Sequence, residues 1–159
     1  MNLKDRKIIG VIGQGQNCSR QILAYADIVG QEIAKRKGIV ICGGLKGVME
    51  AACRGAKKYQ GLTIGIIPGT QKSEANEFVD IPIITGLSEA RNIIIVRTAD
   101  ALIAIGGKYG TLSEIAFSLA FGKPIIGLCT WENINGIHYQ ENPIEAVTTA
   151  FALLKREKL

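Results

Sequence analysis

Residues 101–114 read ALIAIGGKYGTLSE. Ala101 to Ile105 form an unbroken apolar run without the alternation of a half-solvated strand, which describes a strand covered on both faces. Gly106, Gly107 and Gly110 then turn the chain. Leu112, Ile115, Ala116, Leu119 and Ala120 follow at i, i+3, i+4, i+7 and i+8, the spacing of an amphipathic helix. Strand, glycine turn and helix is the repeating unit of a parallel α/β sheet. The unit recurs on either side. Apolar runs near Lys7 to Ile12, Ile39 to Cys42, Leu62 to Ile67, Ile81 to Ile84 and Pro124 to Leu128 predict five more strands. Between them, Ile22, Ala26, Val29 and Ile33 share one helical face. Val48 to Tyr59, Ser88 to Thr98 and Pro143 to Lys155 supply the remaining helices, the last ending in basic Lys155, Arg156 and Lys158. The fold class expected is α/β: a single domain over residues 1–159, doubly wound, with a mostly parallel sheet and helices on both faces. Ligands are expected at the carboxyl ends of its strands.

Composition narrows the function. With 159 residues, 47% of them hydrophobic and 21% charged, the chain can bury an ordinary core, which excludes a disordered segment or a disulfide-stapled miniprotein. The start, MNLKDRKIIGVIGQG, has too short an apolar run for an export leader. The longest apolar stretches, Ile93 to Val96 and Ala101 to Ile105, are broken by Arg97 and Asp100, so no membrane span is expected. Cysteines 18, 42, 53 and 129 form no CxxC pair and His138 is the only histidine, which leaves no usual zinc site and suits a reducing cytoplasm. No metal is expected.

Three glycine turns carry the chemistry. Gly13-Gln14-Gly15-Gln16-Asn17-Cys18 leads to Ser19, an N-cap candidate, but Cys18 stands where a dinucleotide fingerprint needs its third Gly. The second strand ends in Cys42-Gly43-Gly44 rather than an acidic residue, so ordinary NAD binding is disfavoured. The Gly43-Gly44 turn and the Gly106-Gly107-Lys108-Tyr109-Gly110-Thr111 turn each bring backbone N–H groups to a helix start, where an anion such as phosphate is favoured. Neither is a nucleoside triphosphate-binding P-loop. Thr111 and Glu114 also read as a capping box that satisfies only the helix itself. Arg91, at a helix start where the dipole favours acids, is either held by a phosphate or carboxylate or simply solvated. Arg97 reads as a C-terminal or surface charge. Lys108 faces either an anion or solvent.

Taken together, Gly43-Gly44-Leu45-Lys46-Gly47-Val48-Met49, Arg91 and the Gly106–Glu114 turn resemble the Lonely Guy (LOG) superfamily of Rossmann-like proteins, and within it the branch of molybdenum cofactor carrier proteins. The resemblance covers nearly the whole chain. It implies a carrier that holds a nucleotide or molybdopterin-type phosphate, with no cofactor required. Gly13, Gly15, Gly43, Gly44, Gly106, Gly107, Lys108, Gly110 and Thr111 are the expected ligand-binding residues. The alternative is a LOG-type phosphoribohydrolase that cleaves the N-glycosidic bond of a nucleoside 5'-monophosphate. There Glu114 would stabilise charge on the ribose and Arg91 would complete the catalytic site.

Three departures weigh against hydrolysis: Gly106 replaces the family's Pro, Lys108 its second Gly, and Asn92 the Lys of its Arg-Lys pair. A lysine decarboxylase label carried by some relatives finds no lysine here in a pyridoxal phosphate context. Homo-oligomers, dimers or tetramers, are implied by the same resemblance. Nucleic-acid binding is raised by the +5 charge and a distant similarity to DNA-processing Rossmann proteins, but the basic residues are dispersed and not interleaved with aromatics. Ligand selectivity falls to the Gln14 to Cys18 turn, the polar Pro68 to Asp80 loop and the Thr130 to Asn142 segment. Trp131, His138 and Tyr139 in the last read more readily as a flap or subunit contact than as a ligand wall.

Overall fold

Successive residues of each central strand face opposite layers of a computed structural model that describes residues 2–156. Lys158, part of the expected basic end of the last helix, lies outside the described residues. Strand β1 (Ile8–Gly13) leads to helix α1 (Arg20–Lys35), β2 (Ile39–Cys42) to α2 (Val48–Lys57), and β3 (Leu62–Ile67) to β4 (Ile81–Ile84). Helix α3 (Asn92–Thr98), β5 (Ala101–Ile105), α4 (Tyr109–Ala120), β6 (Ile125–Leu128), β7 (His138–Gln140) and α5 (Pro143–Arg156) complete the order. The seven strands form one sheet in the order β4-β3-β2-β1-β5-β6-β7, and every neighbouring pair is parallel.

The alternation of strand side chains sorts the core into two. Ile9, Val11, Val40, Cys42, Ile103, Ile105 and Ile126 face α1, α2 and α5. Ile12, Ile41, Ile66, Leu102, Ala104 and Ile125 face α3 and α4, where Ile95, Val96 and Ile115 meet them. Burying one such side chain contributes roughly 1.5 to 3 kcal/mol, so the sheet's two coated faces dominate stability. Helices α1 and α2 approach so closely that a Cβ on Gly30 would collide with the Ala52 carbonyl, and one on Gly55 with that of Asp27. Asp27, nearly buried, ties the same two helices by accepting from Arg54 Nε at 3.0 Å and Lys58 Nζ at 2.8 Å.

All six expected strands and five expected helices are present, with four differences. The sheet is wholly parallel. A seventh strand, β7, lies in the Thr130 to Asn142 segment, for which the sequence predicts no strand; three mostly exposed residues carry no apolar run to announce it. Ser88 to Thr98 is a 3-10 turn, Ser88–Arg91, followed by a short α-helix. Helix α4 starts at Tyr109 with Lys108 as its N-cap and no side-chain cap, so the expected Thr111–Glu114 capping box is not formed. The chain enters the helix directly from Gly107, whose φ of 106° only glycine adopts without strain, and Thr111 and Glu114 are thereby carried into the helix. Ser19 does cap α1, its hydroxyl accepting from Ile22 N at 3.2 Å. The Pro68–Asp80 loop contains a 3-10 turn, Lys72–Glu74.

Candidate functional site

The strand order reverses between β1 and β5, and in an open parallel sheet the crevice at the carboxyl ends beside such a reversal is where ligands bind. A cleft of about 270 Å³ opens there. Gly13 and Gly15 from the end of β1, Gly43 from the end of β2, Arg91 from the 3-10 turn, and Lys108, Gly110, Thr111 and Glu114 from α4 all line it. Eight of the eleven expected residues thus meet at one place. Gly106 and Gly107 border a neighbouring hollow beside Trp131. Gly44 lies outside both, its N–H given to Cys42 Sγ at 3.3 Å and its carbonyl to Asn76, whose backbone N is 2.8 Å away.

Arg91 is the most constrained group in the cleft. It is 9% exposed, donates through Nη1 to Asn92 Oδ1 and through Nη2 to the Gly43 carbonyl at 3.5 Å, while its Nε has no partner among the described residues. Gly43 exists in this sequence to let the guanidinium pass: a Cβ there would stand 2.5 Å from Arg91 Nη2 and 2.7 Å from Met49 Sδ. Burial lowers the Arg91 pKa from its ordinary value, and Glu114, Cys42 and Glu89 pull it the other way. A buried donor without an acceptor costs roughly 1 to 3 kcal/mol, so the cleft carries a standing demand for an anion or a lone pair.

Glu114 is 6% exposed, and burial pushes its carboxyl up to about 8 against an opposing pull from Arg91. No ion pair joins the two. At neutral pH the carboxyl is therefore mostly protonated, a donor as well as an acceptor. Asn92, next to Arg91 in sequence, is buried as well, bonding Arg91 on one side and, through Nδ2, Ser113 Oγ at 3.3 Å on the other. Ser113 Oγ in turn donates to the Gly110 carbonyl at 2.6 Å. This chain ties the guanidinium to the first turn of α4, whose amides at Tyr109, Gly110 and Thr111 precede the first intrahelical bond, Leu112 N to Lys108 O at 3.0 Å. Uncapped first-turn amides, the helix dipole, a buried guanidinium and Lys108 at the rim give this end of the cleft a positive potential, the chemistry that suits an anion.

Gln14, from the turn to which ligand selectivity was assigned, also lines the cleft, as do Met49 and Glu89, which the sequence did not mark as site residues. Only Gln14 carried a signal, its position between two turn glycines. Asn76, from the loop read simply as polar, is 4% exposed and braces the Gly44 turn. Cys42 and Cys53, far apart in a thiol count, lie with sulfurs 3.6 Å apart behind Gly43. No cluster of three or more His, Cys, Asp or Glu able to hold a metal occurs among the described residues, and no described helix is long and apolar enough to cross a membrane. Arg97 stays out of the cleft and stacks on Phe121, 3.6 Å from its ring centroid.

Comparison with known proteins places these features in context. The SLOG cluster4 family matches residues 6–153. An uncharacterised protein of Archaeoglobus fulgidus is 47% identical over 139 residues, 87% of this chain and 91% of that one. A cytokinin riboside 5'-monophosphate phosphoribohydrolase of Mycobacterium tuberculosis is 29% identical over 74% of this chain and 67% of its own length. Among solved structures, the molybdenum cofactor binding protein of Rippkaea orientalis superposes with a TM-score of 0.86 at 38% identity, covering 97% of this chain and 98% of that one. The molybdenum cofactor carrier protein of Chlamydomonas reinhardtii gives 0.85 at 34%, covering 94% and 99%.

Proposed function

The chain belongs to the SLOG cluster4 family, and on that premise we propose that it binds and carries a small phosphorylated ligand, a molybdopterin-type pterin phosphate or a nucleotide, without turning it over. One observation carries this reading: Arg91 is buried with an unpartnered Nε beside the uncapped first turn of α4. The ligand's phosphate takes that seat, held by the amides of Gly110 and Thr111 and by the charges of Arg91 and Lys108. Gly13, Gly15 and Gly43 let the rest of the ligand lie against backbone. The two solved carriers, similar over nearly all of both chains, support the pterin phosphate as cargo. We read residues 1–159 as one domain, acting in the cytoplasm as a homo-oligomer.

Hydrolysis is the second reading, favoured by the 29% identity to the mycobacterial phosphoribohydrolase and by the meeting of Arg91 and Glu114 in one cleft. A protonated Glu114 stabilises a developing sugar cation less than a carboxylate does, and Asn92 supplies no charge. Carriage therefore stands first. The test mixes purified protein with molybdenum cofactor released from a denatured molybdoenzyme, separates protein from small molecules by gel filtration, and reads pterin fluorescence after oxidation. Pterin in the protein fraction of the wild type and not of Arg91→Ala is expected. Pterin confined to the small-molecule fraction would overturn carriage. Free base released from AMP by wild type and not by Glu114→Gln would establish hydrolysis instead.

A further inference from the structure

We infer that Trp131 and Tyr109 form a stacking shelf for the planar bicyclic ring of the ligand whose phosphate sits at the start of α4; this rests on the phosphorylated-ligand reading above. Beside the cleft, sharing Gln14 with it, lies a hollow of about 480 Å³ bordered by Ile22, Gly106, Gly107, Cys129 and Trp131. The indole is fixed to the phosphate seat itself, because Trp131 Nε1 donates to the carbonyl of Lys108, the α4 N-cap, at 3.1 Å. Tyr109, the first residue of α4, has its ring centroid 5.9 Å from that of Trp131 at an interplanar angle of 39°, and is 81% exposed. Thr130 closes the floor by donating from Oγ to the Gly106 carbonyl at 2.6 Å.

A phosphate on the first-turn amides therefore leaves the remainder of its molecule within reach of two aromatic faces on one side. Heterocycles stack on such faces because every base or pterin presents a π surface. A hydrogen-bonding group stands at the same mouth. Gln14 Nε2 donates to the carbonyls of Gln16 and Asn17 at 2.8 and 2.9 Å, which fixes the amide and leaves Oε1 over Gly106 as a free acceptor. Pterins and adenine both carry an exocyclic amine that donates to such an oxygen. The shelf selects a planar amino-bearing ring; the α4 seat supplies charge recognition common to any phosphate.

Trp131 is the only tryptophan in the chain, so its emission reports the shelf alone. A 6-substituted pterin monophosphate or AMP is expected to quench it, whereas ribose 5-phosphate and inorganic phosphate, which lack a ring, leave it unchanged. By equilibrium dialysis, Trp131→Leu and the exposed Tyr109→Ser should each weaken the pterin monophosphate about tenfold or more. Ribose 5-phosphate should bind Tyr109→Ser, whose ring makes no contact with the seat's hydrogen bonds, as it binds the wild type, and Trp131→Phe should retain ring binding. Undiminished pterin affinity in both variants, or saturation without a change in emission, overturns the shelf while leaving the phosphate seat to be judged by Arg91→Ala. Emission that follows protein concentration and sedimentation rather than ligand would make the aromatic pair a subunit contact and also overturn it. Failure of every phosphate compound to bind the wild type overturns both seat and shelf.

Discussion

Glu114→Gln should change how stability responds to pH more than it changes stability itself. The Glu114 carboxyl sits at about 8 in the fold against an ordinary 4.5, raised first by burial. Between those values the unfolded chain has released this proton while the folded chain holds it, so stability falls as pH rises across the window. Linkage with these two values gives a loss of about 2 to 3 kcal/mol between pH 5 and 7. The attraction of Arg91 is already contained in the raised value and moderates it. Glutamine matches the shape and neutrality of the protonated acid, so the variant lacks this component. Urea unfolding of both proteins at pH 5, 6, 7 and 8 measures it directly: the variant's advantage should grow by about 2 to 3 kcal/mol from pH 5 to 7. Parallel stability curves would show that Glu114 titrates near its unfolded value, and would refute the argument for a neutral acid in the cleft.

Gly43→Ala should displace Arg91 and Met49 and lower affinity for a pterin phosphate at least tenfold in equilibrium dialysis, while circular dichroism stays that of the wild type. Gly55→Ala, far from the cleft, should destabilise by about 1 to 3 kcal/mol or more in urea unfolding because α1 and α2 must separate to admit the methyl group. Of four thiols, Cys129 is exposed and should react promptly with a disulfide reagent followed by absorbance. Cys18, half-buried with its pKa raised by burial, should react slowly, and Cys42 and Cys53 only on unfolding. The Cys53 thiol is pushed up by its hydrogen bond with Cys42 and by burial. Prompt titration of all four in the native protein would contradict that burial.

The sheet was legible because its strands are buried on both faces, and continuous apolar runs such as Ala101 to Ile105 have no other economical reading. The site was legible in its location, since the glycine turns that end β1, β2 and β5 converge at one edge of a parallel sheet, although Gly44, Gly106 and Gly107 of those turns do not line the cleft. What local reading missed depends on contacts distant in sequence. Asn76 braces Gly44 across 32 positions, and Cys42 meets Cys53 only because α2 folds back onto β2. Capping-box spacing misplaced the start of α4 by three residues, because a positive-φ glycine allows the helix to begin at Tyr109 without a capping side chain. The strand β7 depends on pairing with β6, and its own three residues say nothing of it.

The hydrogen-bond chain from Arg91 through Asn92 and Ser113 to Gly110 bears on timing. It ties the two halves of the proposed phosphate seat together through three hydrogen bonds before any ligand arrives, so docking on this geometry needs no closure of one half upon the other. A seat set in this way releases its occupant as fast as the contacts themselves break. Residence time then becomes a direct reading of how many of those contacts survive, and it shortens in step as each is removed. On the carriage proposed above, a seat set in advance leaves the moment of handover to the receiver.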